Sequence, residues 1–306
     1  MAMTQKRIRA NLRGIFCPIV TPFSRRGDLD EKRFQENFAK YSGLGLGGFV
    51  VSGSTGEMPY LTARERLRLV ELARPVIRPP ELLLVGTRFE STRETLLASR
   101  EAFQRGADAV LALTPNYFKS RMDSPTLIAH YRALADQLKR PILIYNIPQF
   151  TGVRMEPRAL AALARHPNIV GVKESSGDLA YLRAVLRAVP RDFRVMTGAG
   201  QIILEALKAG SAGGILGQSN FVPELCIALY DAFCAKRLKL AAELQRRLMP
   251  LVQKINAEQG VPGIKVAAEL CGYAGGDPRA PLRPVTAAGR RSIQAALREA
   301  REGLAF

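Results

Sequence analysis

Short apolar, β-branched runs recur along the first 220 residues, and a segment with helical periodicity follows each of them. Continuous apolar strands separated by helices are typical of a parallel sheet whose outer face is covered by those helices. Eight such units predict a closed (β/α)8 barrel, or TIM barrel, in preference to an open doubly wound sheet. The eight runs are 14-GIFCPIV-20, 48-GFVVSGS-54, 81-ELLLVGT-87, 109-AVLALTP-115, 141-PILIYNI-147, 169-IVGVKES-175, 193-FRVMTGA-199 and 213-GGILGQSN-220.

Capping residues mark where the barrel helices should begin. Ser, Thr and Asp side chains accept hydrogen bonds from the free N–H groups of a first helical turn, and a Glu three residues later completes a capping box. Each signal lies between two apolar runs, which supports the alternation of strands and helices. The signals are Asp30, Thr62 with Glu65, Ser91 with Glu94, Ser124 followed by Pro125, and Asp178.

The strand pattern stops after Phe221, and the rest of the chain has helical periodicity. We therefore expect a barrel domain over residues 1–222 and a C-terminal helical domain over residues 223–306. Glycine and proline in 260-GVPG-263 and 274-AGGDPRAP-281 predict breaks between its helices. The expected helices are roughly 223–235, 238–257, 262–272 and 285–302, and they would pack on the barrel or on another subunit.

The chain is strongly basic, with 45 Lys and Arg against 27 Asp and Glu, a net charge of +18. The positive charge is scattered over amphipathic helices and few aromatic residues accompany it, so we expect no nucleic-acid partner. A basic surface instead favours anionic substrates. No apolar run is long enough to span a membrane and no signal peptide is evident, so we expect no membrane association and a cytoplasmic location.

Metal and disulfide chemistry have little support in the sequence. His130 and His166 are far apart and lack the HxH or HExxH spacing of a metal site. The cysteines form no CxxC pair and are too sparse for a disulfide scaffold. We therefore expect no metal site, no cofactor and buried thiols in a reducing compartment. The cysteines are Cys17, Cys226, Cys234 and Cys271.

A lysine interrupts the sixth apolar run, where burial of an unpaired ammonium costs several kcal/mol. Lys173 lies four residues after Ile169, and Tyr145 lies four residues after Pro141, the first residue of the fifth run. If these adjacent strands start at the same level, the amine and the phenol become neighbours. They would lie toward the C-terminal ends of the strands, where barrels of this kind carry their chemistry.

This pairing suits metal-free aldol chemistry. A lysine in a dry interior can attack a ketone as the neutral amine and form a Schiff base, while a nearby phenol transfers protons. The protonated imine then withdraws electrons from the adjacent C–C bond. The structural alternative is that Lys173 forms a buried ion pair with a core acid such as Glu57.

Two glycine-rich strand ends are suited to an anionic ligand. In 52-SGSTGE-57, backbone N–H groups can converge on a carboxylate, and Ser54 and Thr55 add hydroxyl groups. An ordinary strand–loop turn explains the same residues. In 198-GAG-200, Gly198 opens the seventh helix, where small residues either bind phosphate or only leave room for a ligand.

Taken together, these residues resemble those of the dihydrodipicolinate synthase / N-acetylneuraminate lyase family of class I pyruvate aldolases. The resemblance extends from about residue 13 to residue 285. Any single motif has little weight, whereas five in order at strand ends are specific. The motifs are 53-GSTGE-57, 114-TPNY-117, 145-YNIPQFTG-152, 171-GVKESSGD-178 and 213-GGILGQSN-220.

The resemblance implies a role for each matching residue. Lys173 would form the imine with pyruvate or a pyruvyl group, and Tyr145 would transfer protons. Ser54 would relay those protons toward Tyr117. Thr55 and its neighbouring amides would hold the pyruvyl carboxylate.

The resemblance also implies how the pocket is lined and how subunits assemble. The backbone of Ile215 would line the pyruvate pocket. In tetrameric members the residue that matches Tyr117 is inserted from a neighbouring subunit. A homotetramer, or at least a dimer, is therefore implied.

One departure from the family pattern bears on the substrate. Dihydrodipicolinate synthases carry Arg within YNxPxRTG to bind the carboxylate of aspartate semialdehyde, whereas this chain has Phe150 there, and an apolar ring cannot replace a bidentate guanidinium. Segments such as 90-ESTRETL-96 and 260-GVPGIK-265 look most like 4-hydroxy-2-oxoglutarate aldolases, which release pyruvate and glyoxylate. We therefore expect that cleavage, with semialdehyde condensation as the alternative. From another class, a non-catalytic basic binding protein on the same scaffold is the third hypothesis.

Overall fold

Eight parallel strands close into a barrel in sequence order, with β1 paired to β8, in a computed structural model that describes residues 5–302. Every strand lies within the apolar run that predicted it, and the (β/α)8 barrel is confirmed. The strands are β1 Gly14–Pro18, β2 Gly48–Val51, β3 Leu82–Thr87, β4 Ala109–Leu113, β5 Ile142–Asn146, β6 Ile169–Glu174, β7 Arg194–Thr197 and β8 Gly213–Ile215.

Helices cover the outside of the barrel and continue after β8. A π-helical turn, Val252–Ala257, joins two of the later helices. None of the helices within residues 5–302 combines the length and the apolar character needed to cross a bilayer. The helices are α1 Gln5–Asn11, α2 Glu31–Tyr41, α3 Ala63–Ala73, α4 Thr92–Gln104, α5 Ser124–Leu138, α6 Pro148–Thr151, α7 Pro157–Ala164, α8 Leu179–Ala188, α9 Ile203–Ala209, α10 Pro223–Cys234, α11 Leu238–Leu251, α12 Glu258–Leu270 and α13 Ala287–Arg301.

Four of the five predicted helix caps are confirmed, although Glu94 does not complete the predicted box at Ser91, and one prediction is wrong by a residue. At α5 the side chain of Asp123, not of Ser124, accepts a hydrogen bond from the N–H of Thr126, at 3.0 Å. Both residue types cap helices well, so a sequence that offers them side by side does not decide between them. The caps that are confirmed are Asp30 on α2, Thr62 with Glu65 on α3, Ser91 on α4 and Asp178 on α8.

Apolar side chains fill the interior of the barrel, and the polar residues lie at one end of it. Ile8 of the N-terminal helix α1 and Leu12 directly after it are fully buried and pack in the same cluster as Phe16 and Leu143 inside the barrel. Because α1 precedes β1, it covers the end at which the strands begin. The C-terminal ends of the strands, where the polar residues lie, form the mouth.

The helices after β8 enclose the barrel and then return to it. Helix α10 packs against β1 and serves as the eighth covering helix, and the division of the chain at residue 222 stays a prediction. The expected break at 260-GVPG-263 is confirmed as a sharp kink at Gly260, where two helical segments meet within α12. Gly260 has φ 60° and ψ −148°, a conformation open to glycine alone, and the chain resumes its helix directly.

Candidate active site

Tyr145 and Lys173 are paired residues on β5 and β6. The strands begin with Ile142 opposite Ile169, and a register shift directly afterwards moves Tyr145 from Val172 to Lys173. The Nζ atom of the lysine lies 4.3 Å from the centroid of the tyrosine ring. Both side chains are only 5% exposed. The structure therefore brings the amine and the phenol together, as the sequence predicts.

Lys173 has no acidic partner among residues 5–302. Glu57, the acid proposed for it, forms a buried ion pair with Lys265. Glu174 projects to the other face of β6, where it accepts a hydrogen bond from the N–H of Ser176 at 2.7 Å, and burial raises the pKa of its carboxyl group. The structural alternative for Lys173 is therefore wrong, because its expected partner is already neutralised by another lysine.

The loop after β2 places a hydroxyl group beside the phenol. The Oγ atom of Ser54 lies 3.5 Å from the Oη atom of Tyr145. The N–H groups of Thr55 and Gly56 donate to no acceptor within the described part of the chain. Successive backbone amides without an acceptor are suited to bind an anion. The loop thus offers a carboxylate site one residue away from the serine hydroxyl.

Gly198, directly after β7, packs against two side chains of β6. A Cβ at this position would lie 1.9 Å from the Oγ of Ser175 and 3.0 Å from the Cε of Lys173. Only glycine fits there, so the interpretation that small residues leave room is the one that the geometry favours. Phosphate binding at this residue is disfavoured, because its N–H already donates to the carbonyl of Glu174 at 2.7 Å.

Ser175 is a site residue that the sequence reasoning missed. It is 5% exposed, and its Oγ atom has no hydrogen-bond partner within residues 5–302. A buried hydroxyl without a hydrogen-bond partner lowers the stability of a protein. The Ser175 hydroxyl is therefore a candidate contact for a ligand. The signal was available, since strand periodicity places residue 175 on the same face as Lys173.

Ile215 lies inside the barrel. It is 1% exposed, pairs with Phe16 across β8 and β1, and belongs to the same apolar cluster as Tyr145 and Met196. Its position on the inner wall is consistent with lining a small pocket above that cluster.

Tyr117 and Phe150 lie on the rim of the mouth and not inside it. They are 77% and 68% exposed. The Tyr117 ring packs edge-on against Phe118 with centroids 5.0 Å apart, and its N–H donates to Glu90 at 2.7 Å. No hydrogen bond joins Tyr117 to Ser54 within residues 5–302. A relay between these two hydroxyl groups is therefore not formed within a single chain.

A profile described as the Dihydrodipicolinate synthetase family matches residues 11–300. The chain belongs to this family. Membership in the dihydrodipicolinate synthetase family confirms the family expected from the motifs and, with it, the expected class of carbon–carbon lyases.

Relatives and solved structures of the family match along nearly the whole chain. A 4-hydroxy-tetrahydrodipicolinate synthase of Rhodospirillum centenum is 37% identical over 286 residues, which cover 93% of this chain and 97% of that protein. One of Methanoculleus marisnigri is 37% identical and covers 88% and 92%. The chloride-inhibited dihydrodipicolinate synthase of Acinetobacter baumannii, solved in complex with pyruvate, is 28% identical with a TM-score of 0.90, covering 94% and 99%. These relatives are named as synthases and not as 4-hydroxy-2-oxoglutarate aldolases.

Proposed function

We propose that the protein is a Schiff-base-forming lyase that binds pyruvate covalently through Lys173 and requires no cofactor. The observation that carries this proposal is a buried lysine with no acidic partner within residues 5–302 and with the Tyr145 ring 4.3 Å from its Nζ atom. A lysine that is not engaged by an acid has its amine available for addition to a carbonyl carbon. The family to which the chain belongs supports the same chemistry.

In the proposed reaction, the amine of Lys173 adds to the ketone carbon of pyruvate. The carbonyl oxygen takes up two protons and leaves as water, which gives the imine. Loss of a proton from the methyl carbon of the protonated imine then gives an enamine, whose terminal carbon forms the new bond to an aldehyde carbon. The aldehyde oxygen takes up a proton, the protonated imine re-forms, and water hydrolyses it to free Lys173. The same steps in reverse cleave that bond and release the aldehyde.

Tyr145 and Ser54 are placed to move the protons of these steps. The Tyr145 ring lies beside the reacting amine of Lys173. The hydroxyl of Ser54 lies 3.5 Å from the phenol oxygen of Tyr145. A positioned acid–base group of this kind contributes roughly 10²–10⁴-fold to a rate. We assign Tyr145 to proton transfer at the reacting centre and Ser54 to exchange with the mouth.

The pyruvate carboxylate is assigned to the amides after β2. The N–H groups of Thr55 and Gly56 lack protein acceptors within the described residues, and the Thr55 hydroxyl is beside them. Gly198 and Ile215 bound the remaining space, the first by having no side chain and the second as part of the inner wall. The pocket therefore suits a short 2-oxo acid.

The first candidate for the second substrate is aspartate semialdehyde, which makes the reaction the synthesis of 4-hydroxy-tetrahydrodipicolinate. The names of relatives 37% identical to this chain support it. A cation is also present at the end of α6, two residues after Phe150, since the Nζ atom of Lys119 lies 3.9 Å from the position of a Cβ on Gly152. That ammonium could meet the semialdehyde carboxylate where the phenyl ring cannot.

The second candidate is cleavage of 4-hydroxy-2-oxoglutarate. Phe150 removes one argument for the semialdehyde, because the exposed ring offers no guanidinium to its carboxylate, although the carboxylate of glyoxylate would meet the same ring. The unpaired Oγ of Ser175 is available to the glyoxylate portion of that substrate.

Parallel assays of the two reactions distinguish the candidates. We expect condensation with the semialdehyde to be the faster reaction, and Phe150→Arg to raise its kcat/KM by about tenfold or more through a charge-assisted bond to the carboxylate. The matched control is Val76→Arg, an apolar side chain 43% exposed ahead of β3 at the opposite end of the barrel, which should change little. Faster cleavage of 4-hydroxy-2-oxoglutarate by the unmodified protein would reverse the ranking.

We also propose that the protein is a homotetramer, or at least a dimer. Tyr117 and Phe118 present an aromatic pair to solvent on the rim. Exposed aromatic surface of this kind marks interaction sites. In such an assembly Tyr117 would enter the mouth of a neighbouring subunit and meet Ser54 there.

A further inference from the structure

Two residues of the loop 52-SGSTGE-57 have a left-handed backbone although neither is glycine. Ser52 has φ 54° and Glu57 has φ 57°. Such conformations are unfavourable for residues with a Cβ. They are maintained only where contacts with the surrounding structure impose them. Ser54 and Thr55 lie between these two positions. Whatever holds the ends of the loop therefore sets the direction of its amides.

The start of the loop is held by close packing. A Cβ on Gly86 of β3 would lie 2.0 Å from the carbonyl oxygen of Ser52, so the two backbones are in direct contact. Near its end, the hydroxyl of Thr21 donates to the carbonyl of Gly56 at 2.8 Å.

Glu57, at the end of the loop, is held by the C-terminal part of the chain. Its carboxylate and the ammonium of Lys265 on α12 are each 1% exposed and form an ion pair. The carboxylate also accepts a hydrogen bond from the N–H of Arg279 at 2.8 Å. The ammonium donates to the carbonyl of Asp277 at 2.7 Å and lies 4.5 Å from the centroid of the Phe23 ring. The orientation of both charged groups is therefore fixed by contacts from several directions.

Residues 272–282, here called the C-terminal strap, are attached to residues that follow the loop in sequence. The guanidinium of Arg279 forms two bonds to the carboxylate of Glu65, at 2.6 and 2.8 Å, and one to the carbonyl of Tyr60 at 2.7 Å. It also lies 4.1 Å from the centroid of the Phe23 ring. The strap thus runs from the end of α12 to α3 and passes the end of the loop.

We propose that Glu57 and Lys265 are positioning residues, whose ion pair, held by the C-terminal strap, aims the amides of Thr55 and Gly56 at the pyruvate carboxylate. The choice of ligand rests on the proposed function, whereas the hold on the loop rests on geometry alone. Packing does not explain the pair, because apolar residues of similar volume would stabilise a core as well or better. A charged pair with directed backbone partners fixes an orientation, which apolar contacts do not.

The test compares Lys265→Met, Glu57→Gln and the double variant in the full-length protein. One measurement is the pyruvate concentration that gives half-maximal adduct after borohydride reduction. The other is amide hydrogen exchange in a peptide that covers residues 52–57. The control is Asp108→Asn, which disrupts a largely buried pair with Arg74, at 3.0 Å, at the opposite end of the barrel.

Each single variant should raise the half-saturating pyruvate concentration by about tenfold or more, with adduct formation at saturation within about twofold of the unmodified protein. Exchange of the Glu57 amide, which donates to the carbonyl of Ser54 at 3.1 Å, should be faster by a similar factor. The control should lower thermal stability and leave both readouts unchanged. The double variant should regain stability, since no unpaired charge remains, but keep the pyruvate defect. Recovery of pyruvate affinity in the double variant would reduce the pair to a structural role.

Unchanged pyruvate affinity and unchanged loop exchange in Glu57→Gln would overturn the positioning role. This variant also carries the test if Lys265→Met does not fold, because glutamine has the same shape and still accepts from the N–H of Arg279. If the unmodified protein forms no adduct, the proposed function is refuted instead. Hydrogen exchange of residues 52–57 then still decides whether the pair holds the loop.

Discussion

Tyr145 and Lys173 face each other across β5 and β6, with the lysine Nζ atom 4.3 Å from the centroid of the tyrosine ring. The register shift at the start of β6 produces this pairing, since an unbroken register from Ile142 and Ile169 would set Tyr145 against Val172. The acid–base group and the proposed nucleophile thus depend on one irregularity in one strand.

Replacing Tyr145 by Phe should leave imine formation with pyruvate measurable but slow turnover by ~10²-fold or more, because the amine remains while the proton donor is lost. Stopped-flow turnover and borohydride trapping separate the two effects. The matched control is Tyr131→Phe, a buried tyrosine outside the barrel whose hydroxyl donates to the carbonyl of Ala112 at 3.1 Å. That control should lose a little stability and no turnover. Equal turnover in Tyr145→Phe and the unmodified protein would remove the phenol from the mechanism.

Adding a methyl group at Gly198 should block the site without unfolding the barrel. The new Cβ would overlap the Oγ of Ser175 at 1.9 Å and press on the Cε of Lys173 at 3.0 Å. We expect Gly198→Ala to reduce the rate of imine formation by about tenfold or more, since misplacement of a reacting group by about 1 Å can cost ~10²-fold. The double variant Gly198→Ala with Ser175→Gly removes the worst overlap and should recover part of the rate. No recovery would mean that the two side chains do not converge as described.

Mixing two inactive variants tests whether Tyr117 acts in a neighbouring subunit. Tyr117→Ala keeps its own lysine, and Lys173→Ala keeps its own tyrosine. If subunits exchange tyrosines, random re-pairing restores about a quarter of the sites, because one site in each mixed pair has both residues. Activity after co-refolding, compared with the sum of the two variants alone, measures this. A mixture no more active than that sum would place Tyr117 outside the neighbouring site.

His130 predicts a specific loss of stability in acid. It is 6% exposed on α5, and burial lowers its pKa from 6.5 to about 4. Between these values the unfolded chain binds a proton and the folded one does not, so the contribution of His130 is present above pH 6.5 and is lost as the pH falls toward 4. The loss amounts to up to about 3 kcal/mol.

Urea unfolding at a series of pH values tests the role of His130. The free energy of unfolding of His130→Leu should depend less on pH between 6.5 and 4 than that of the unmodified protein. The control Leu134→Ala, which removes a buried apolar side chain from the same helix, should lower the free energy of unfolding and keep its original pH dependence. Parallel pH profiles for His130→Leu and the unmodified protein would contradict the prediction.

The fold was predictable because its signals are local and repeated. Each apolar run lies over a strand, and caps such as Thr62 with Glu65 act within one helical turn. The break at Gly260 was also predictable, because glycine and proline in series indicate an interruption of a helix.

The proximity of Lys173 and Tyr145 was predictable from their strand positions, but Ser175 was missed and the long-range pairings could not be predicted. Strand periodicity identified the face on which Lys173 lies, yet it could not show that Glu57 pairs with Lys265 on a distant helix. Nor do apolar runs reveal the register shift that brings Tyr145 to its position. The type of a side chain indicates which chemistry it can perform. Which residue from a distant part of the chain it pairs with depends on how the elements pack in the folded protein.

Reductive trapping tests the central proposal most directly. The protein is incubated with pyruvate and borohydride and is then digested. The masses of its lysine-containing peptides are measured by mass spectrometry. We predict one adduct with the mass of a reduced three-carbon acid on Lys173, and none in Lys173→Arg. No adduct on Lys173, or an adduct on the other buried lysine, Lys265, would contradict the account and favour the non-catalytic hypothesis or a different nucleophile.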